Sequence, residues 1–197
     1  KSRQFYLNDN CHSERSEESV VNATLLVTKN LKRVERCFAS LNMTRYANIS
    51  PMANFFSTFQ ITTASSILGM SEQGGYVTEW KIKNSQGVWM DLLYIGTELK
   101  RTGIPILFPY YGPSESGLGQ HGFGRNLTWK LVNKAEEGAL LELTEQSLSP
   151  EIAKLYPHPF KAQIQIQMHD QAFTYTLSVQ NTGPTPLPIA PGLHPYW

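Results

Sequence analysis

Phe160, Ala162, Ile164, Ile166 and Met168 alternate strictly with Lys161, Gln163, Gln165, Gln167 and His169, which predicts a strand with one buried face. A second alternating run sets Phe173, Tyr175, Leu177 and Val179 against Thr174, Thr176, Ser178 and Gln180. Asp170 and Gln171 are a link short enough to make the two runs an antiparallel hairpin. Leu127 to Val132 and Ala139 to Thr144 form another pair, joined by the polar, glycine-ended stretch Asn133 to Gly138. A further strand is expected within Val88 to Ile95. After Met52, helical signals are confined to Pro150 to Leu155, where Ser149 offers a cap and Pro150 suits the first turn. The chain is therefore expected to be mainly β, with antiparallel sheets packed as a sandwich.

Composition divides the chain near residue 51. All 14 glycines and all four tryptophans follow that point, whereas Cys11 and Cys37 precede it. The earlier segment carries the charged run His12 to Ser19 and a weak helical spacing in Leu31, Val34, Phe38 and Leu41. Cys11 to Ser19 resembles translated bacterial intergenic repeat sequence. Residues 1–51 are thus expected to be an extension outside the domain, residues 52–197 to be the domain, and Met52 to be the true start, with Met43 as the other candidate.

Charge narrows the partners. Lys plus Arg number 17 against 16 for Asp plus Glu, which gives no electrostatic footprint for nucleic acid or an anionic membrane. No stretch approaches the roughly 18 apolar residues of a membrane span, and the first residues lack a signal-peptide pattern. The expectation is a soluble cytoplasmic protein with a small-molecule partner. The two cysteines provide neither a disulfide framework nor a metal motif, and the histidines do not recur at ligand spacing, so no metal and no cofactor are expected. Asn22, Asn42, Asn48 and Asn126 open N-x-[ST] triplets, which matter only in a secretory compartment and are read as chance.

Three segments are too rich in Gly, Pro, His and Arg to be ordinary strand surface: Arg101 to Pro109, Gln120 to Arg125 and Pro191 to Tyr196. Each sets an ionisable side chain beside Gly or Pro, where the backbone is free to approach a ligand or is fixed in extended form. Such positions suit a preorganised site. In order, R-x-G-I-P-x-x-x-P, H-G-F-G-R and G-x-H-x-Y resemble the glucose-6-phosphate 1-epimerase branch of the aldose 1-epimerase family. Tyr156-Pro157-His158-Pro159-Phe160 fits that family as well, and the resemblance extends over Met52 to Trp197.

The resemblance implies a galactose-mutarotase-like β-sandwich with a sugar cleft, and interconversion of hexose anomers. That reaction needs a base for the C1 hydroxyl and an acid for the ring oxygen, so that the ring opens and recloses on the other face. Histidine suits the acid because its ordinary pKa of about 6.5 keeps both protonation states accessible. By resemblance His194 is the acid and His121 the second active-site histidine, holding the oxygens around C1. The family's catalytic glutamate, and an aspartate that precedes it, are expected beyond Trp197, so the domain is expected to be incomplete at its C-terminal end. Asp91 and Glu98 are the carboxylates nearest the first motif.

Arg101 and Arg125 bear on the substrate, because a guanidinium pairs bidentately with phosphate. By resemblance they bind the phosphate of a hexose 6-phosphate; the plainer reading gives them salt bridges within the protein. His158 and His169 are read as structural and solvent-facing. Tyr110, Tyr111, Phe123, Tyr196 and Trp197 are read as core or sheet surface, with one or two lining a cleft. The rivals to an epimerase are a non-catalytic carbohydrate-binding module on the same sandwich and a fragment that does not fold stably. The sequence sets no oligomeric state.

Overall fold

A computed structural model describes residues 20–27, 56–113 and 117–197. Its elements in order are β1 (Val20–Val27), β2 (Phe59–Thr62), β3 (Ser66–Ser71), β4 (Tyr76–Lys83), β5 (Trp89–Asp91), β6 (Ile106–Leu107), β7 (Lys130–Lys134), β8 (Gly138–Thr144), the short helix α1 (Pro150–Leu155), β9 (Phe160–His169), β10 (Ala172–Asn181) and β11 (Gly192–Leu193). One sheet has five strands in the order β1-β10-β9-β8-β7, a second has four in the order β2-β3-β4-β5, and β6 pairs with β11. Among the described residues the pairings between these strands are antiparallel, and two isolated bridges, Phe108 with Gly122 and Tyr110 with Ala190, are parallel.

The alternating runs define the larger sheet. Phe160, Ala162, Ile164, Ile166 and Met168 of β9 are buried, as are Phe173, Tyr175, Leu177 and Val179 of β10. Asp170 and Gln171 form the turn between them, and Asp170 adopts φ 47°. Asparagine and aspartate accept this left-handed conformation more readily than other side chains with a Cβ. The expected β7–β8 pair forms, but β7 runs over Lys130–Lys134 and not Leu127 to Val132, because Asn133 and Lys134 pair with Leu140 and Ala139 and do not belong to the turn; the register is irregular between Leu131 and Asn133. At α1 the Ser149 side chain accepts from Ile152 N, the cap expected from the sequence.

The smaller sheet closes the core from the other side. Leu68, Met70, Val77, Trp80 and Ile82 are buried with the inward face of the larger sheet in one apolar cluster. Trp80 of β4 meets Phe173 of β10 edge to face at 5.1 Å, a packing that fixes one sheet over the other.

Three features differ from the sequence reading. Val88 to Ile95 contributes only the three-residue β5, because the chain beyond Asp91 turns aside: Leu92 N still bonds Trp80 O, but Tyr94 N bonds Tyr196 O. β3 and β4 were not anticipated: β3 and the first half of β4 are largely covered on both faces, and the period-two alternation of β4 is confined to Trp80, Lys81, Ile82 and Lys83. Residues 20–27, inside the segment set apart by composition, form β1 and pair along their length with β10. The octet VVNATLLV is rich in β-branched residues, a strand signal that the sequence reading did not use. The helical spacing at Leu31 to Leu41 and the Met43 and Met52 starts lie outside the described residues.

Candidate active site

The three Gly/Pro-rich segments meet along one strand. β6 pairs with β11, and the pairing continues past its end: His194 N donates to Pro105 O at 3.1 Å and Tyr196 N to Gly103 O at 2.9 Å. At the other end of β6, Phe108 O accepts from Phe123 N at 2.9 Å and from Gly124 N at 2.8 Å. Residues 101–109 are thus the shared backbone from which the other two segments are aimed.

Glycine is required where backbones cross. Gly122 has φ 64°, and a Cβ there would lie 2.6 Å from the Phe108 carbonyl carbon. Gly103, at φ 58°, abuts the main chain of Val77, to which Ile104 N donates at 2.8 Å. Beneath the turn, the buried Trp129 indole donates to Gly124 O at 2.9 Å and so ties the turn to the core.

His121 also sits at positive φ, 74°. Left-handed backbone costs a residue with a Cβ about 1–2 kcal/mol, so its surroundings must hold it there. One restraint is Tyr111 O, 2.5 Å from Nδ1. A carbonyl only accepts, so Nδ1 carries the proton and, in the neutral ring, Nε2 presents a lone pair. Burial holds the His121 pKa below its ordinary value, aided by the positive charge of Arg125 and by His194; the bond to Tyr111 O opposes the shift.

His194 arrives from β11. Its ring lies 6.0 Å from that of His121, centroid to centroid, with 68° between their planes, and stacks on Tyr196 at 4.7 Å. His194 Nδ1 is buried without a hydrogen-bond partner among the described residues. Arg125 Nε is in the same condition, on the 3-10 turn Gly124–Asn126. Buried polar atoms are normally paired, so two orphans in one cluster mark a place where a polar ligand gains bonds the described residues do not supply.

The structure brings His121, His194 and Arg125 together and does not do the same for Arg101. Arg101 ends the 3-10 turn Leu99–Arg101 with its side chain exposed, and nothing among the described residues ties it to either histidine. Asp91 is paired with Lys81 at 3.5 Å, and Glu98 is exposed at the start of that same turn. His158 packs against Tyr156 at 4.9 Å, and His169 Nε2 meets Thr174 Oγ1 at 2.9 Å on the exposed side of the hairpin. Phe123 is core, Tyr110 is partly buried against it, and Tyr111 and Trp197 are exposed.

Tyr76 was missed by sequence reasoning. It is buried at the start of β4, and burial pushes its phenol up to about 12, with Arg125 opposing and Tyr196 adding. Tyr76 therefore feels both the arginine of the second motif and the tyrosine of the third. The available signal was Gly74-Gly75 immediately before it, both at positive φ.

The aldose 1-epimerase profile matches residues 58–197, most of the described chain. The chain belongs to the aldose 1-epimerase family. A relative from Escherichia coli K12 named "putative glucose-6-phosphate 1-epimerase" is 35% identical over 96 residues, covering 45% of this chain and 32% of the relative. A protein of the same name from Cenchrus ciliaris is 29% identical over 145 residues, covering 63% of this chain and 41% of the relative. The fold of this aldose 1-epimerase family member is similar to a galactose mutarotase related enzyme from Lactobacillus acidophilus, with TM-score 0.60 and 21% identity over 70% of this chain and 47% of that one. A Synechocystis sp. PCC 6803 structure gives TM-score 0.61 at 24% identity, covering 70% and 53%. The fold is the galactose-mutarotase-like β-sandwich, and the chain matches about half the length of these solved relatives.

Proposed function

We propose that this chain carries the histidine pair of a carbohydrate 1-epimerase, which interconverts the α and β anomers of a hexose or hexose 6-phosphate in the cytoplasm. The observation behind this reading is the 6.0 Å separation of the His121 and His194 rings where the three motif segments meet. A pyranose places its ring oxygen and C1 hydroxyl on neighbouring atoms, so two imidazoles at this spacing can address both at once.

The roles follow from the environments. His121, its pKa held below the ordinary value and its Nδ1 proton engaged by Tyr111 O, presents an unprotonated Nε2 that accepts a hydrogen bond from a sugar hydroxyl. His194 is the acid that protonates the ring oxygen as the C1–O5 bond breaks. The proton on the C1 hydroxyl goes to a carboxylate base, the role that the family resemblance gives to a glutamate. Rotation about C1–C2 followed by reclosure returns both protons and delivers the other anomer, without a cofactor.

Arg125 supports a phosphorylated substrate. Its Nε is buried and has no partner among the described residues, and a phosphate oxygen would satisfy it. Arg101 is assigned the same substrate by motif alone, and its exposed position favours a contact made at the rim.

The test is two-dimensional exchange NMR of glucose 6-phosphate and of galactose, on protein expressed from the complete reading frame. Anomer exchange above the spontaneous rate, lost in His194→Gln, supports the epimerase. Sugar binding without exchange points instead to a carbohydrate-binding module, and the absence of both overturns the sugar assignment.

A further inference from the structure

Tyr156 follows α1 as its C-terminal cap and is buried where the segments that restrain His121 come together. Its hydroxyl donates to Pro188 O at 3.0 Å. Residues 188–190 lead directly into a pairing with residues 109–111: Ala190 N donates to Pro109 O and Tyr111 N to Ala190 O, each at 2.8 Å. Tyr111 O in turn accepts from His121 Nδ1. The Tyr156 ring meets Phe123 edge-on at 5.5 Å and Tyr110 at 6.2 Å. One side chain therefore grips both the loop that supplies the acceptor and the turn that carries the histidine.

We propose that Tyr156 is the positioning residue for His121: its hydroxyl fixes residues 188–190, these fix the Tyr111 carbonyl, and that carbonyl fixes the Nδ1–H tautomer and the aim of Nε2. The inference deepens the reading of His121 as a sugar-binding group and rests on it for its functional meaning. Pro188 itself is exposed, so water is available to its carbonyl, and the bond from a buried phenol serves direction more than satisfaction of the acceptor. Burial keeps that phenol protonated far above neutrality, so it remains a donor at every working pH.

Long-range nitrogen–proton NMR on the side chain of His121, with no sugar present, reads the tautomer directly. In Tyr156→Phe, which keeps the ring packing, the Nδ1–H form is expected to lose its dominance. The His121 midpoint is expected to fall further, because the bond to Tyr111 O is what raises it. Anomer exchange should slow by about tenfold through kcat, the scale of a small misalignment of a reacting group. Tyr156→Leu, which removes ring and hydroxyl together, separates packing from aim. An unchanged His121 tautomer and midpoint in folded Tyr156→Phe, with loss only in Tyr156→Leu, overturns the proposal and leaves Tyr156 a packing residue. Because the tautomer is read without sugar, a wild-type protein that never exchanges anomers would remove the epimerase reading while this result stood or fell by itself.

Discussion

The main-chain oxygen of Tyr111 lies 2.5 Å from Nδ1 of His121 and decides which nitrogen of that imidazole faces outward. Because the same ring is held below its ordinary pKa by burial and by Arg125, it enters neutral solution as a hydrogen-bond acceptor.

A pH dependence of stability follows, and its sign is fixed. With the folded pKa depressed, the unfolded chain takes up the proton first as pH falls through about 6.5, so His121 favours the folded state above that value and the contribution is lost below it. Urea midpoints measured from pH 7.5 down to 5 should decline more steeply in the wild type than in His121→Gln. NMR titration should give a His121 midpoint below 6.5; a midpoint at or above it contradicts the assignment.

Arg125→Ala should weaken exchange of glucose 6-phosphate by about tenfold to a hundredfold, the worth of one charge-assisted contact, while galactose changes little. Parallel exchange spectra on the two sugars supply the measurement. Equal losses on both would assign Arg125 to holding the histidines and not to phosphate.

Gly122→Ala should cost more than about 2 kcal/mol, since left-handed backbone alone costs a Cβ about 1–2 kcal/mol and the Phe108 main chain stands in the way. Gly87→Ala shares the positive φ but meets nothing within 4 Å, and should cost about 1 kcal/mol. Denaturant unfolding of the pair separates backbone strain from collision.

Trp129→Phe should destabilise by about 2–4 kcal/mol, through the lost bond to buried Gly124 O and the space left in the core. The same variant should shift the amide resonances of residues 121–125. Stability loss with those resonances unmoved would separate the core from the site.

The hairpin of β9 and β10 was legible because one face of each strand is buried and the other is not, so burial is written into the sequence as alternation. The same rule hid the first half of β4: Val77, Thr78, Glu79 and Trp80 are all buried, and a stretch covered on both sides carries no period. Glu79, nearly inaccessible yet paired with Lys81 at 2.6 Å, shows how a charged residue masks a buried strand from a reader of hydrophobicity.

By itself the sequence determined the chemistry available: two histidines and two arginines set among glycine and proline, in an order that resembles one family, on a mainly β chain. Only the tertiary structure decided which of these meet. The hydrogen bonds of residues 103–108 to 122–124 and to 192–196 bring His121, His194 and Arg125 into one cluster and leave Arg101 exposed at the end of a 3-10 turn. The physical reason is that spacing along a chain says nothing of which backbone groups pair across it, and a histidine's tautomer and pKa are set by neighbours that such pairing delivers from distant parts of the sequence.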